Sequence, residues 1–183
     1  RKNVEDFFLA SSIPATSLRA GIIIGSGSAS FEIIRDLVEK LPVMIAPKWL
    51  NNKCQPIAIS DVLYYLIATL GEEKSYNKRY DIAGPDVLTF KEILKSFSKL
   101  RGLRRFIFTI PVLTPRLSSY WLYFVTSVNF SLAKYLVDSV KNNVVKKNNS
   151  INDIIKRDCL SFDEAVKRSF KKIEQNLVLS SWK

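Results

Sequence analysis

The chain contains no histidine and only two cysteines, Cys54 and Cys159, among its 183 residues. Histidines and closely spaced cysteines supply most protein zinc ligands, so the sequence predicts no protein metal site. Two cysteines that lie far apart also exclude a disulfide framework and suit a reducing compartment. Since no signal-peptide pattern stands at the N-terminus, we expect a cytoplasmic protein.

Long uncharged runs are also scarce. The longest, residues 117–133, is interrupted by serine, threonine and asparagine. These interruptions argue against a membrane-spanning helix, because a span needs about 20 predominantly apolar residues. A peripheral contact with a membrane surface stays open for residues 106–140.

Acidic residues are outnumbered, with 17 Asp and Glu against 28 Lys and Arg, which gives a net charge of +11. Such an excess can indicate nucleic-acid binding, because lysine and arginine neutralise phosphates. Here the cations are spread over several predicted helix faces. The densest group, residues 91–105, lies at a helix end, where cations favour the macrodipole. We therefore expect no nucleic-acid partner.

Hydrophobic residues make up 47% of the chain, and their spacing predicts alternating strands and helices. Residues 4–9 fit a helix without a start signal, so we expect a missing N-terminal segment. Residues 16–24 end in a run of three isoleucines and predict a buried parallel strand. A glycine-rich turn at residues 25–28 then leads into a helix. This order of elements favours an α/β fold.

The later elements are predicted from capping boxes, proline and glycine punctuation, and apolar spacing. Ser60 is the expected cap of the second helix in this part of the chain, and residues 141–150 are expected to form a solvated connection. The predicted strands cover residues 43–46, 55–59, 80–83 and 106–110, and the predicted helices cover residues 61–70, 89–100, 116–125, 130–140 and the stretch from 161 onward.

The glycine-rich turn has two interpretations, which are compatible with each other. One is a strand-to-helix turn that needs small residues, and the other is an anion site formed by free N–H groups at a helix N-terminus. The pattern Gly25-x-Gly27-x-x-Ser30 imitates the dinucleotide fingerprint. Its third glycine is missing, and no acidic residue follows at the end of a second strand, so we do not interpret it as the pyrophosphate loop.

Two charged residues have both a structural and a functional interpretation. Arg19 stands beside the apolar part of a strand and needs a partner, which is either a salt-bridging carboxylate or a ligand. Asp61 either stabilises the start of a helix or pairs with Arg19 or with ligand hydroxyls, and we favour the helix role.

Three segments, in this order, resemble the extended and atypical short-chain dehydrogenase/reductases, in particular the NAD(P)H-binding branch similar to a respiratory complex I accessory subunit. Residues 18–27 match a strand of the form L-R-x-x-x-x-x-G-x-G that crosses under the nicotinamide. Residues 55–62 match the stretch before a helix beginning with Asp-Val. Residues 80–92 match a later strand and turn.

The resemblance implies a partial Rossmann-like fold, a doubly wound parallel sheet, beside a mixed α+β substrate-binding lobe. It implies NAD(P) as cofactor and a small-molecule substrate. The implied cofactor-binding residues are Arg19, Gly21, Ile22, Ile23, Gly25, Ser26, Gly27 and Ser28. The candidate substrate-binding residues are Phe31, Gln55, Arg116, Tyr120 and Trp121. The last three lie in an apolar stretch that fits either a substrate cavity or plain core packing.

The chain departs from the family pattern in the catalytic and pyrophosphate-binding parts. The first strand with its glycine motif is absent, as is the Tyr-x-x-x-Lys helix. Arg1 stands where the lysine of that motif falls and is the one catalytic candidate. We expect residues 1–84 to be the C-terminal part of the cofactor domain, with 28–54 contributing to the substrate lobe, and residues 85–183 to form that lobe.

Two functions follow from the resemblance. The first is an NAD(P)-dependent oxidoreductase or epimerase-like protein, in which a hydride passes between the nicotinamide and a substrate held by the C-terminal lobe. The second is a non-catalytic NAD(P)H-binding interaction or assembly protein, as in the branch that the chain most resembles.

Overall fold

A computed structural model of the chain describes residues 2–110, 142–147 and 151–175. The helices of this part are α1 (Lys2–Leu9), α2 (Ala29–Lys40), α3 (Ile59–Ala68), α4 (Phe90–Leu100) and α5 (Phe162–Glu174). The strands are β1 (Thr16–Ala20), β2 (Ile23–Ile24), β3 (Val43–Pro47), β4 (Lys53–Cys54), β5 (Ile57–Ala58), β6 (Lys78–Ile82), β7 (Leu88–Thr89) and β8 (Phe106–Ile110).

Three of the four strand pairs are parallel. β1 pairs with β6, β2 with β5 and β3 with β8, whereas β4 and β7 are antiparallel. The two strands of each parallel pair are connected through at least one helix. Parallel strands require such a crossover, because the end of one strand and the start of its partner lie at opposite edges of the sheet. The predicted α/β class is confirmed.

The isoleucine-rich segment is divided into two strands. β1 takes its register from β6 and β2 takes its register from β5, with Gly21 and Ile22 between them. The predicted parallel pairing is therefore correct. The prediction of one continuous buried strand is wrong, because β1 is only half-buried and Arg19 is exposed, whereas Ile22 and Ile24 lie in the core.

The hydrophobic core has two clusters. In the larger one, α2, α4 and α5 pack together, and the rings of Phe31, Phe97 and Phe170 lie with centroids 5.4 to 5.7 Å apart. Such tilted contacts between aromatic rings stabilise the fold beyond the burial of their apolar area. The smaller cluster packs α3 and β6 against residues 151–155, around Tyr65 and Tyr80.

Side-chain caps stand at the starts of three helices, two of which were predicted. The Ser28 hydroxyl accepts the N–H of Phe31 at the start of α2. α4 and α5 both begin with complete capping boxes, as predicted. The expected cap at Ser60 is wrong, because β5 runs directly into α3 and the helix already begins at Ile59.

Residues 142–147 form a crossing segment that packs onto the strands. Val144 makes a parallel β-bridge to Cys54, its N–H donates to the Lys53 carbonyl at 2.8 Å, and its carbonyl accepts the Gln55 N–H at 3.0 Å. The prediction of a solvated connection is correct for most of this part of residues 141–150, since the side chains at 142, 143, 145 and 147 are exposed, but it missed the β-bridge of Val144. Val144 is the apolar residue that fixes the segment in place, in a run otherwise rich in lysine and asparagine.

Several predictions concern residues outside the described ranges. These are the helices predicted at 116–125 and 130–140, and the site candidates Arg1, Arg116, Tyr120 and Trp121. Among the described helices, none is long and apolar enough to cross a bilayer. The division into two lobes and a peripheral membrane contact stay predictions.

Candidate functional site

A cavity of about 300 Å³ opens at the carboxyl ends of β1 and β6. In open α/β sheets, ligands bind at the carboxyl ends of parallel strands. The end of β1, the end of β6, Gln55 and the crossing segment form its walls. Its lining residues are Arg19, Ala20, Gly21, Gln55, Asp81, Ile82, Ala83, Asn143, Val144, Val145, Lys146 and Lys147.

Arg19 and Asp81 form a salt bridge at the cavity wall. Strand register places them side by side, and Arg19 Nε lies 2.9 Å from Asp81 Oδ1. Glu5 is a second, more distant carboxylate, 3.9 Å from the same nitrogen. Of the two interpretations of Arg19, the structure shows the salt bridge. The Arg19 side chain remains 49% exposed, and Arg19 is part of the cavity lining.

Gln55 joins the end of β6 to the crossing segment. Its Nε2 donates to the Gly84 carbonyl at 2.7 Å, and its Oε1 accepts the Lys146 N–H at 3.2 Å. Because both ends of the amide are used, Gln55 holds two walls of the cavity together. The same residue that the sequence indicated for substrate binding thus positions the site.

The crossing segment closes one side of the cavity through further contacts. The Lys147 N–H donates to Asp81 Oδ2 at 3.2 Å, and Asn143 Oδ1 accepts the Lys53 N–H at 2.8 Å. A Cβ at Gly21 would lie only 2.7 Å from Val144 Cγ1, so glycine leaves room for the Val144 side chain. The sequence interpretation missed Asp81, Asn143, Lys146 and Lys147.

The glycine-rich turn is satisfied by the protein itself. The Gly27 N–H, at a positive φ of 81°, donates to Glu32 Oε1, and the Ser28 hydroxyl donates to the Ile23 carbonyl. Burial raises the pKa of Glu32. A carboxylate therefore occupies the position in which an anion would meet this turn, and the structure favours the strand-to-helix interpretation over the anion site.

Close packing explains the glycine at the end of β2. A Cβ on Gly25 would lie 2.5 Å from Ile59 Cγ2. The turn residues Gly25, Ser26, Gly27 and Ser28 lie between β2 and α2 and are not part of the cavity lining.

The remaining candidates lie in or beside the core. Phe31 is completely buried between Phe97 and Phe170, so it packs in the core and does not line the cavity. Ile22 is nearly buried in the larger cluster, and Ile23 packs against the smaller one. Of the described candidates, the structure brings Arg19, Gly21 and Gln55 together at the cavity.

Asp61 lies in the first turn of α3, as expected, but its partner is Arg157 rather than Arg19. Both Nε and Nη2 of Arg157 donate to Asp61 Oδ1, and this hydrogen bonding raises the pKa of Arg157. The guanidinium also lies 4.5 Å from the ring centroid of Tyr64. Asp61 therefore has a structural role and is not part of the cavity lining.

Within residues 2–110, 142–147 and 151–175, no group of three or more histidine, cysteine or carboxylate side chains is arranged to hold an ion.

No family model and no curated protein match the chain by sequence. Three similar solved structures show its fold. An NADPH-dependent quinone oxidoreductase from Escherichia coli, complexed with NADPH, covers 92% of this chain at 18% identity and a TM-score of 0.69. A nucleoside-diphosphate-sugar epimerase from Staphylococcus aureus covers 92% at 16% identity and a TM-score of 0.65.

The third similar structure is a dTDP-4-dehydrorhamnose reductase from Bacillus anthracis in complex with NADP. It covers 85% of the chain at 10% identity and a TM-score of 0.57. The chain spans only 47 to 58% of these three solved chains. The likeness shows a Rossmann-like α/β fold, as the sequence predicted.

Proposed function

We propose that this chain, which has the fold of NAD(P)-binding reductases and epimerases, is part of an NAD(P)-dependent oxidoreductase or epimerase-like protein of the short-chain dehydrogenase/reductase superfamily. The cavity at the carboxyl ends of β1 and β6 carries the proposal. The sequence resemblance and the similar solved proteins, two of which hold NADP or NADPH, agree on the cofactor.

The cavity fits one end of a dinucleotide. A volume of about 300 Å³ lies at the lower limit for small-molecule sites, which suits a nicotinamide and its ribose but not a whole cofactor. Arg19 and Gly21 would border the nicotinamide end. When bound, the cofactor supplies the hydride.

The protein's own residues orient the bound molecules. The salt bridge to Asp81 holds the Arg19 guanidinium in a defined position. From this position the other N–H groups of Arg19 would donate hydrogen bonds to the ligand. Gln55 holds the crossing segment against the end of β6, and this segment forms one side of the cavity. These residues bind and orient the cofactor and the substrate, and we assign a proton transfer to none of them.

The composition of the lining favours the second candidate function, a non-catalytic NAD(P)H-binding interaction or assembly protein. Among the residues that line the cavity in the described part, there is no tyrosine, serine or cysteine to act as proton donor. Asp81 is engaged through both carboxylate oxygens.

Binding and turnover separate the two candidates. Titration of the protein with NADPH should quench tryptophan fluorescence with a Kd on the order of 1 to 100 μM, the range of typical enzyme cofactors and substrates. Hydrogen exchange should slow at residues 19–23 and 81–84 and remain unchanged in α5. Absence of saturable quenching, or protection elsewhere, would contradict the proposal.

Turnover is then measured as NADPH oxidation at 340 nm with a set of carbonyl compounds and quinones as acceptors. Oxidation that depends on an acceptor supports the oxidoreductase. Saturable binding without oxidation by any acceptor supports the non-catalytic function.

A further inference from the structure

Helix α3 is apolar on its outer side as well as on its inner side. Its inner residues Val62, Tyr65 and Ala68 pack in the smaller core cluster. Its outer residues remain exposed, although a helix at a protein surface ordinarily carries charged or polar residues there. The one charged residue of α3, Asp61, is completely buried. Solvent therefore meets an uncharged and largely apolar helix face.

The exposed residues form one continuous stripe, which we call the α3 stripe. It consists of Ile59, Leu63, Leu66, Ile67 and Leu70. Four of them follow one another at intervals of four, three and four positions, which is the heptad spacing of a helix that packs against another helix. Leu70 lies in the turn after α3, where its N–H bonds to the Ile67 carbonyl. The pattern favours a helix as the occupant of this face.

The α3 stripe is large for a surface without a partner. Ile67 is 69% exposed and Leu70 is 79% exposed, and the other three residues are between 38% and 51% exposed. The stripe thus presents on the order of 500 Å² of apolar surface, a size at which patches on a single protein are often functional. A symmetric contact between two copies would bury about 1,000 Å², which reaches the lower limit for a specific interface.

The charges beside the stripe suit a second copy of the chain better than an anionic membrane. Glu73 and Lys74 follow the stripe and are both exposed. Lys156 and Asp158, also exposed, lie in the segment whose Lys156 carbonyl accepts the Tyr64 hydroxyl. A membrane-surface helix carries an excess of lysine and arginine beside its apolar face, whereas here both signs occur. Two copies can meet at this face without an array of like charges.

We propose that the α3 stripe is the contact surface of a symmetric homodimer, in which α3 of one copy packs antiparallel against α3 of the other. A twofold axis allows the same stripe to serve both copies. Antiparallel packing places the positive N-terminal end of each helix beside the negative C-terminal end of the other. The contact goes beyond the proposed function and does not depend on it, since no residue of the stripe lines the cavity.

The first experiment is sedimentation velocity of the 183-residue chain over a series of concentrations. The unaltered chain should show a monomer–dimer equilibrium with a Kd on the order of 10 μM, because a contact of this size is at the weak end of specific interfaces. The test variant is Ile67→Glu. The matched control is Phe7→Glu, at a 72% exposed position of α1. Far-UV circular dichroism and thermal melts of dilute samples establish that both variants are folded.

Ile67→Glu should raise the Kd at least about 10-fold, since each copy would bring an unpaired carboxylate into the apolar contact. Phe7→Glu makes the same change of charge outside the stripe and should alter the Kd by about twofold or less. The proposal is overturned if the unaltered chain stays monomeric at every concentration, or if both variants weaken the dimer equally.

The second experiment tests the antiparallel arrangement by disulfide crosslinking. Cys159→Ser is the background, in which the remaining thiol, Cys54, is buried. Ile59 and Leu70 are about 16 Å apart along the helix, too far for a disulfide between equivalent positions of antiparallel helices. Chains with Ile59→Cys should therefore crosslink to chains with Leu70→Cys, and neither should crosslink to itself. Self-linking, or no linking of the mixture, contradicts the arrangement.

Two further measurements identify a different occupant of the stripe. If vesicles of phosphatidylcholine and phosphatidylserine float the unaltered chain but not Ile67→Glu, a membrane occupies the stripe. If a thiol reagent labels Ile67→Cys slowly in a monomeric sample, another part of the same chain covers it. Either result would replace the second copy and overturn the proposal.

Discussion

Asp61 and Arg157 form a partly buried contact between residues that are 96 positions apart in the chain. The Asp61 side chain has no exposed surface, and its Oδ1 accepts from Arg157 Nη2 at 2.7 Å and from Nε at 3.0 Å. Its Oδ2 accepts the backbone N–H of Leu160 at 2.8 Å. The carboxylate thus fixes the residues that lead into α5 against the start of α3.

Replacement of Asp61 tests this contact. Asp61→Ala should lower the free energy of unfolding by about 2 kcal/mol, because a buried N–H and a guanidinium lose their acceptor. Urea denaturation measures the change. Asp158→Asn, at an exposed position of the same segment, should stay within about 0.5 kcal/mol of the unaltered chain. Similar losses in both variants would argue against a specific role of Asp61.

The contact between Gly21 and Val144 predicts a compensating pair of substitutions. Gly21→Ala should cost about 1–3 kcal/mol, because its methyl group would meet Val144 Cγ1 at 2.7 Å, whereas the next atoms are 3.7 Å away or more. Val144→Ala removes that atom. In a double-mutant cycle, Gly21→Ala should therefore cost much less when Val144 is alanine. Additive effects would mean that the crossing segment does not pack against Gly21 in solution.

Glu32 should give the protein a distinctive dependence on pH. Burial raises its pKa in the folded state, so between the ordinary glutamate pKa and the raised value the folded chain binds more protons than the unfolded chain. The free energy of unfolding contributed by Glu32 therefore falls as pH rises through this window. Glu32→Gln should remove that decrease, as measured by denaturation at a series of pH values.

The control for Glu32 is Glu73→Gln, at an exposed position. The difference in stability between Glu73→Gln and the unaltered chain should show no comparable trend through the same window. If the difference in stability between Glu32→Gln and the unaltered chain stays constant with pH, the raised pKa of Glu32 is contradicted.

Cys54 should be unreactive in the folded protein. Burial raises the pKa of its thiol to about 12, and its Sγ donates to the Leu88 carbonyl. At pH 8 only about one thiol in 10,000 would be ionised, and the thiolate is the reactive form. In Cys159→Ser, a thiol reagent such as 5,5'-dithiobis(2-nitrobenzoic acid) should label Cys54 only after unfolding. Rapid labelling of the native variant would contradict the buried position.

Local signals predicted much of the fold. The capping boxes at Thr89 and Ser161 are pairs of side chains three residues apart, so the sequence itself contains both partners. The strand β8 was predicted with its observed bounds, because proline follows it and β-branched and aromatic residues fill it. The resemblance also identified the strand whose end borders the cavity.

Contacts between distant residues could not be predicted in the same way. Asp81 lies next to Arg19 only because β1 and β6 pair in one particular register, and nothing near Asp81 in the sequence indicates it. Val144 lies in a polar run whose composition is typical of a solvated loop, and its bridge to Cys54 depends on the tertiary fold. Phe31 has helical spacing that fits both a core face and a cavity wall, and only packing decides between them.

The change of strand partner at Gly21 has a consequence for how this protein tolerates insertions and deletions. β1 is aligned by β6 and β2 by β5, so an added or deleted residue between them leaves the alignment of both strands intact. The same change inside β1 would turn Arg19 to the opposite face, because side chains alternate along a strand. A change in chain length between the two strands therefore keeps Arg19 beside Asp81.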